Sequence, residues 1–229
     1  LGNGNGTFKP KTDFATGANP RSGTLGDVNG DGRLDIITAN YGSNNTSVLL
    51  GNGNGTFGPK TDFATGVKPN SVTLGDVNRD GRLDIVTANR GSSNVSVLLA
   101  NGGSNIPGFD PSITGSFASL GFGVSPRDVQ MADVNGDGNL DIVTANISSL
   151  KGSTASVLLG NGNGTFGPKA DFATGDYPNS VTLGDVNGDG RLDIITANRI
   201  SDSASVLLGN GNGTFSPKAD FATGTNPKS

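Results

Sequence analysis

The sequence predicts an all-β chain folded as a β-propeller of four-stranded antiparallel blades, and two observations carry that expectation. An acidic nine-residue loop recurs four times, starting at Asp27, Asp76, Asp133 and Asp185, with spacings of 49, 57 and 52 residues. A period of about 40–50 residues marks a propeller or a solenoid, and solenoid coils are usually shorter. Around each loop, short runs of Thr, Val, Ile, Leu and Phe are punctuated by Asn-Gly pairs. Strands joined by tight turns read this way.

Each unit builds its blade in the same order. A run such as SVTLGDVN (71–78) is the first strand and enters the loop, and LDIVTAN (83–89) leaves it as the second. A variable Gly/Ser/Asn segment leads to the third strand, SVLLGNGNGTF (47–57), whose NGNG turn leads to the fourth, PKTDFATG (59–66). The third strand carries VLL at 48–50, 97–99, 157–159 and 206–208, apolar on both faces. Such a run fits a strand sandwiched between neighbouring blades. The pairs Phe8/Phe14, Phe57/Phe63, Phe166/Phe172 and Phe215/Phe221 stand six apart, so an extended chain can place both rings on one face, as inter-blade core.

These units make one domain, 1–229, with repeats at 1–21 (partial), 22–70, 71–127, 128–179 and 180–229. After Leu99 the second unit loses its NGNGTF turn and gains residues up to Asp128, which reads as a tolerated loop insertion. Residues 1–22 repeat 208–229 nearly letter for letter, giving four metal-loop repeats plus one extra N-terminal strand. The expectation is a section of a larger, for example seven-bladed, propeller, or self-association through the spare terminal strand. The opening Leu1-Gly2-Asn3 reads as a processed product or a fragment.

The loops carry the chemistry. Oxygen side chains at loop positions 1, 3, 5 and 9, with glycine at 6, describe a pocket for a hard cation, Ca²⁺ above Mg²⁺, which prefers fewer protein ligands and retained waters. The expected ligands are Asp27, Asn29, Asp31, the carbonyl of Arg33 and Asp35 in the first loop; Asp76, Asn78, Asp80, Arg82 and Asp84 in the second. They are Asp133, Asn135, Asp137, Asn139 and Asp141 in the third, and Asp185, Asn187, Asp189, Arg191 and Asp193 in the fourth. About four Ca²⁺ ions follow. A turn needs Asp, Asn and Gly too, but four copies in one register ask for more than turn chemistry. An EF-hand is a poorer fit, because Thr38 stands where its Glu would be.

All 20 acidic residues are Asp, and 12 of them sit in the loops, so the formal charge of -4 is a local property of those loops. Four Ca²⁺ would bring it to +4. A pI near 4.7 argues against nucleic acid, and the basic residues read as dispersed solubilising charges. No apolar run approaches the length of a membrane span. With no His, Cys or Glu, the usual bases and nucleophiles are missing, which argues against an enzyme. Of the eight Asp residues outside the loops, Asp13, Asp62, Asp171 and Asp220 recur in one PKxDF context and read as structural, and Asp110, Asp128, Asp176 and Asp202 are isolated.

DVNGDGRLDIITAN followed by SVLLGNGNGTF resembles the FG-GAP/VCBS repeat family, whose cation loops are those of the integrin α-subunit β-propeller. The likeness covers essentially the whole chain and is weakest at 100–127. It implies a Ca²⁺-stabilised propeller, commonly seven-bladed, in secreted or cell-surface proteins, often adhesive. The expected function is a calcium-binding, non-catalytic extracellular structural or adhesion module, with a protein or glycan ligand at a cell surface or matrix. The competing expectation is a Ca²⁺-dependent, lectin-like propeller, for which only Tyr41 and Tyr177 remain as aromatic faces outside the Phe set.

Overall fold

The computed structural model describes residues 1–100, 118–121, 124–148 and 152–228. Among the described residues there is no helix, and the strands form four antiparallel sheets of four, the blades of a β-propeller. The first blade holds β1 (Pro20–Gly26), β2 (Asp35–Asn40), β3 (Asn45–Leu49) and β4 (Thr61–Ala64). The second holds β5 (Pro69–Gly75), β6 (Asp84–Asn89), β7 (Asn94–Leu98) and the short β8 (Ala118–Ser119). β9 (Val124–Ala132), β10 (Asp141–Ser148), β11 (Thr154–Leu158) and β12 (Ala170–Ala173) make the third. β13 (Pro178–Gly184), β14 (Asp193–Asn198), β15 (Ser203–Leu207) and β16 (Ala219–Ala222) make the fourth. Consecutive strands are neighbours in every sheet, and each acidic loop joins the first strand to the second, as expected. The insertion after Leu99 lies largely outside the described residues.

Three apolar clusters mark the three junctions between blades. Ile37, Ala39 and Val48 of the first blade meet Val72, Ile85 and Leu98 of the second. On the other side of that second sheet, Val86, Ala88, Val95 and Val97 meet Val129, Ile142 and Leu158 of the third. Val143, Ala145, Ala155 and Val157 then meet Val181, Ile194 and Leu207 of the fourth. Neighbouring residues of one strand, Ile85 and Val86, therefore serve different junctions, as strand alternation requires.

Polar side chains repeat between blades as well. Asn89 Nδ2 donates to Asn94 Oδ1 (2.9 Å) and Ser96 Oγ (2.7 Å), while the Gly66 N–H at the end of the preceding blade donates to the same Ser96 Oγ (3.0 Å). Asp62 accepts from Ser47 Oγ at 2.6 Å and from Lys60, so its structural reading holds. Asp128, isolated in the sequence, ties three blades: it accepts from Ser71 Oγ at 2.7 Å and from the Val181 N–H at 3.0 Å.

Two expectations need correction. The N-terminal copy of the fourth-strand sequence forms no strand, because among the described residues no third strand pairs with residues 9–16 and a ladder needs a partner. It still packs on the first blade, with Phe14 edge-on to Phe57 at 5.1 Å. The Phe pairs do not gather their own two rings on one face either. Phe166 packs into the second junction and Phe172 into the third, so the inter-blade part of the expectation holds, as Phe172 to Phe215 at 5.2 Å also shows, while Phe8 and Phe221 are exposed.

At the first two junctions a glycine receives two apolar side chains of the next blade. A Cβ on Gly26 would lie 2.5 Å from Leu74 Cδ1 and 2.9 Å from Leu83 Cδ1, whereas a Cβ on Gly184 would have nothing within 4 Å. Overpacking a junction costs about 1–3 kcal/mol, and a surface change about 0.5 kcal/mol or less. Gly26→Ala should therefore lower the urea midpoint clearly and Gly184→Ala hardly at all. Equal shifts for the two variants would refute this account of the junction.

Candidate metal centres

Each loop is wound on its first aspartate. In the first loop, Asp27 Oδ1 accepts from the N–H groups of Gly30 (2.8 Å) and Asp31 (3.1 Å), and Oδ2 accepts from Gly32 N–H at 2.7 Å. The wrap is tight because Gly32 takes a φ of 80°, a region open to glycine at little cost. The side chain at position 3 joins in: Asn29 Nδ2 donates to Asp31 Oδ2 at 3.1 Å, and Asn29 Oδ1 accepts from the Asp31 N–H. Asp31 Oδ1 in turn accepts from the Arg33 N–H at 2.9 Å.

The same bonds bring together Asp76, Asn78 and Asp80, with Arg82 N–H on Asp80. They recur at Asp133, Asn135 and Asp137 with Asn139 N–H, and at Asp185, Asn187 and Asp189 with Arg191 N–H. In the second loop Arg79 replaces the glycine of the other copies and is held at φ 61°, a strained conformation for a long side chain.

The ninth position is different in kind. Asp35, Asp84, Asp141 and Asp193 are fully buried, and each spans two backbone segments. Asp84 Oδ2 accepts from the Val77 N–H at 2.9 Å and Oδ1 from the Ala100 N–H at 2.8 Å, so the loop is pinned to the end of the third strand. The same double clamp fixes Asp35 on Val28 and Gly51, Asp141 on Val134 and Gly160, and Asp193 on Val186 and Gly209. Because the ninth aspartate is committed to these amides, no three carboxylates of the described residues close on one point.

The donor set still suits a hard cation. Every group is an oxygen, and the ninth-position carboxylate, with one N–H on each oxygen, keeps lone pairs free. The loops also lack positive charge where they need it. Burial first, with the charges of Asp80 and Asp76 adding to it, pushes the Asp84 carboxyl up to about 6 against the lowering effect of its two backbone bonds. Asp35 and Asp141 are raised for the same reasons. The side-chain cations at hand are exposed: Arg33 stands 3.8 Å from Asp31, and Arg82 3.3 Å from Asp80.

The opposite ends of the strands correct the sequence reading of charge. Basic residues that looked dispersed converge there on the chain's two tyrosines. Arg21 lies over the Tyr41 ring at 4.5 Å, Lys68 at 5.7 Å, and Arg90 Nη1 donates to the Tyr41 hydroxyl at 3.3 Å. Arg127 lies over the Tyr177 ring at 4.8 Å and donates to its hydroxyl, with Arg199 at 5.7 Å. The numbers 21, 68, 90, 127 and 199 give no hint of proximity until the blades are assembled.

A model of the FG-GAP-like repeat matches residues 1–38, 27–87, 76–144 and 133–196. Among solved structures, the chain is similar to a protein from Lactobacillus plantarum, at 17% identity and a TM-score of 0.63, covering 95% of this chain and 62% of that one. It is also similar to BBS1N, solved in complex with ARL6DN, at 12% identity and a TM-score of 0.58, covering 92% of this chain and 59% of that one. At these identities the likeness shows the propeller fold alone. This chain spans about three fifths of the length of those structures. No curated protein matches the sequence.

Proposed function

The chain belongs to the FG-GAP-like repeat family, and from that premise we propose a calcium-braced, non-catalytic scaffold of the cell surface or extracellular space. Its faces would serve a protein or glycan ligand. The repeat module itself is plain from the four blades; the metal, the location and the ligand are the proposal. One observation carries it: in each of four loops wound on a first aspartate, that half-buried or exposed carboxylate and an exposed one at position 5 stand with a third that is fully buried.

In the second loop the residues that would hold the ion are Asp76, Asn78, Asp80, the Arg82 carbonyl and Asp84. A bound Ca²⁺ supplies the positive charge that offsets repulsion among these carboxylates. The chain's own part is to present them. Asp76 gathers the loop amides, Asn78 and Asp80 fix each other, and Asp84 anchors the loop to the next hairpin. Absence of catalysis is supported by the lack of His, Cys and Glu and by the structural engagement of Asp62, Asp128 and Asp220.

Calorimetric titration tests the proposal. The intact chain should take up about four Ca²⁺ with dissociation constants of about 10⁻⁴–10⁻³ M, the range of extracellular oxygen-ligand modules. Asp76→Ala should remove one site and leave the others, because each blade contacts mainly its neighbours. No heat of binding at millimolar Ca²⁺ would refute the metal reading.

A further inference from the structure

We propose that the basic, tyrosine-bearing end of the blades is a binding site for an acidic polysaccharide, one whose sugars carry carboxylate or sulfate groups. The inference names a ligand for the scaffold proposed above and rests on that reading only in supposing a presented face.

The site is built rather than accidental. Every blade carries a β-bulge where its first strand begins, in the register shifts between Pro20 and Ser22, Pro69 and Ser71, Ala145 and Asn146, and Pro178 and Ser180. The bulged residues are Arg21, Asn70, Arg127 and Asn179, so Arg alternates with Asn from blade to blade. A bulge re-aims its side chain out of the regular pleat, and here it aims each Arg at a tyrosine. The residue just after the second strand completes the set in three blades, as Tyr41, Arg90 and Arg199. The cations thus follow the curvature of the blades in a row, which suits a ligand with repeated charges.

The chemistry of the row is one-sided. Guanidinium and ammonium groups only donate, and each tyrosine hydroxyl that accepts from an Arg keeps its own proton to donate. The complementary ligand accepts hydrogen bonds and is negative, as carboxylates and sulfates are. None of the five cations has a carboxylate partner within 4.0 Å among the described residues. Arg127 is crowded instead: burial first, then the charges of Arg90 and Arg21, lower its affinity for its proton. Its Nε, a donor, is buried with no partner in the protein. Asn70 Nδ2 donates to the Arg127 carbonyl at 2.7 Å, which ties the second blade to the backbone that carries this Arg.

A flexible polymer fits better than a nucleic acid duplex. A duplex carries one charge per about 1.7 Å of its axis and asks for many phosphate contacts, while the cations on the two tyrosines are Arg21, Lys68, Arg90, Arg127 and Arg199 and the chain is acidic in sum at -4.

The test is immobilised-polymer binding at about 0.15 M salt, where weak surface attraction is screened beyond about 8 Å. The probes are polygalacturonate, dextran sulfate, neutral dextran and duplex DNA. Polygalacturonate or dextran sulfate should bind and neutral dextran should not, with the stronger of the two acids identifying the charged group. The double variant Arg21→Ala/Arg199→Ala removes two exposed cations and should weaken binding about tenfold or more with an unchanged melting temperature. Tyr177→Phe, which keeps the ring and removes the hydroxyl, should weaken it less. Failure of both acid polymers, equal retention of dextran or DNA, or a double variant that binds like the parent would overturn the site. Ca²⁺ titration of the same samples separates the two readings: normal Ca²⁺ uptake without polymer binding sinks only this one.

Discussion

Excess EGTA should lower the melting temperature of this chain by about 15 °C. The figure follows from linkage: an ion present at about ten times its dissociation constant adds about 1.4 kcal/mol per site, so four sites add about 6 kcal/mol. For a chain of 229 residues, each kcal/mol corresponds to about 2–4 °C. The loops are where the ion acts, because burial and the charges of neighbouring carboxylates raise the carboxyls of Asp35, Asp84 and Asp141, and a bound cation offsets both. Adding Ca²⁺ back should restore the curve, and Mg²⁺ at the same concentration should do so less well, since it holds its waters more tightly. Superimposable curves in EGTA and Ca²⁺ would remove the structural role of the metal.

The second large effect needs no metal. Asp84→Ala should destabilise the chain by about 3–5 kcal/mol when measured in EGTA, because it strands two buried N–H groups, those of Val77 and Ala100, at about 1–3 kcal/mol each with a small cavity besides. Asp84→Asn retains one acceptor oxygen and discards a charge that burial disfavours, so its loss should be nearer 1 kcal/mol. Urea unfolding in EGTA measures both. An Asp84→Ala loss under about 0.5 kcal/mol would mean that the double clamp contributes little. Measured again in Ca²⁺, the Asn variant should lose the further increment that belongs to its missing ion.

What could be read from the sequence was what lies close along the chain. The acidic loop, the NGNG turn and the apolar third strand are each set by fewer than a dozen neighbouring residues, and all three stand where expected. Asn54, for example, accepts from both the N–H and the hydroxyl of Thr56, a bond between residues two apart. The ninth aspartate was legible as an acid but not as a clamp, since its partner Gly51 lies 16 residues from Asp35. The Phe rings do pack between blades as expected, but the one-face expectation failed: Phe166 joins the second junction and Phe172 the third. Arg21 and Arg127 were beyond reach for a plainer reason: a bulge turns each side chain out of the alternation that strand patterns assume.

The junction between blades has a consequence for how such a chain can change over time. Leu74 and Leu83 stand against Gly26, Met131 and Leu140 against Gly75, and Leu183 and Leu192 pack with Ala132 in the third junction. Since each boundary is written in nearly the same letters, copying or deleting one whole unit in the tandem gene joins a familiar front to a familiar back. Unequal recombination would then yield a chain of different length whose new seam is already packed. Selection could adjust the number of units first and refine the residues of any one unit afterwards.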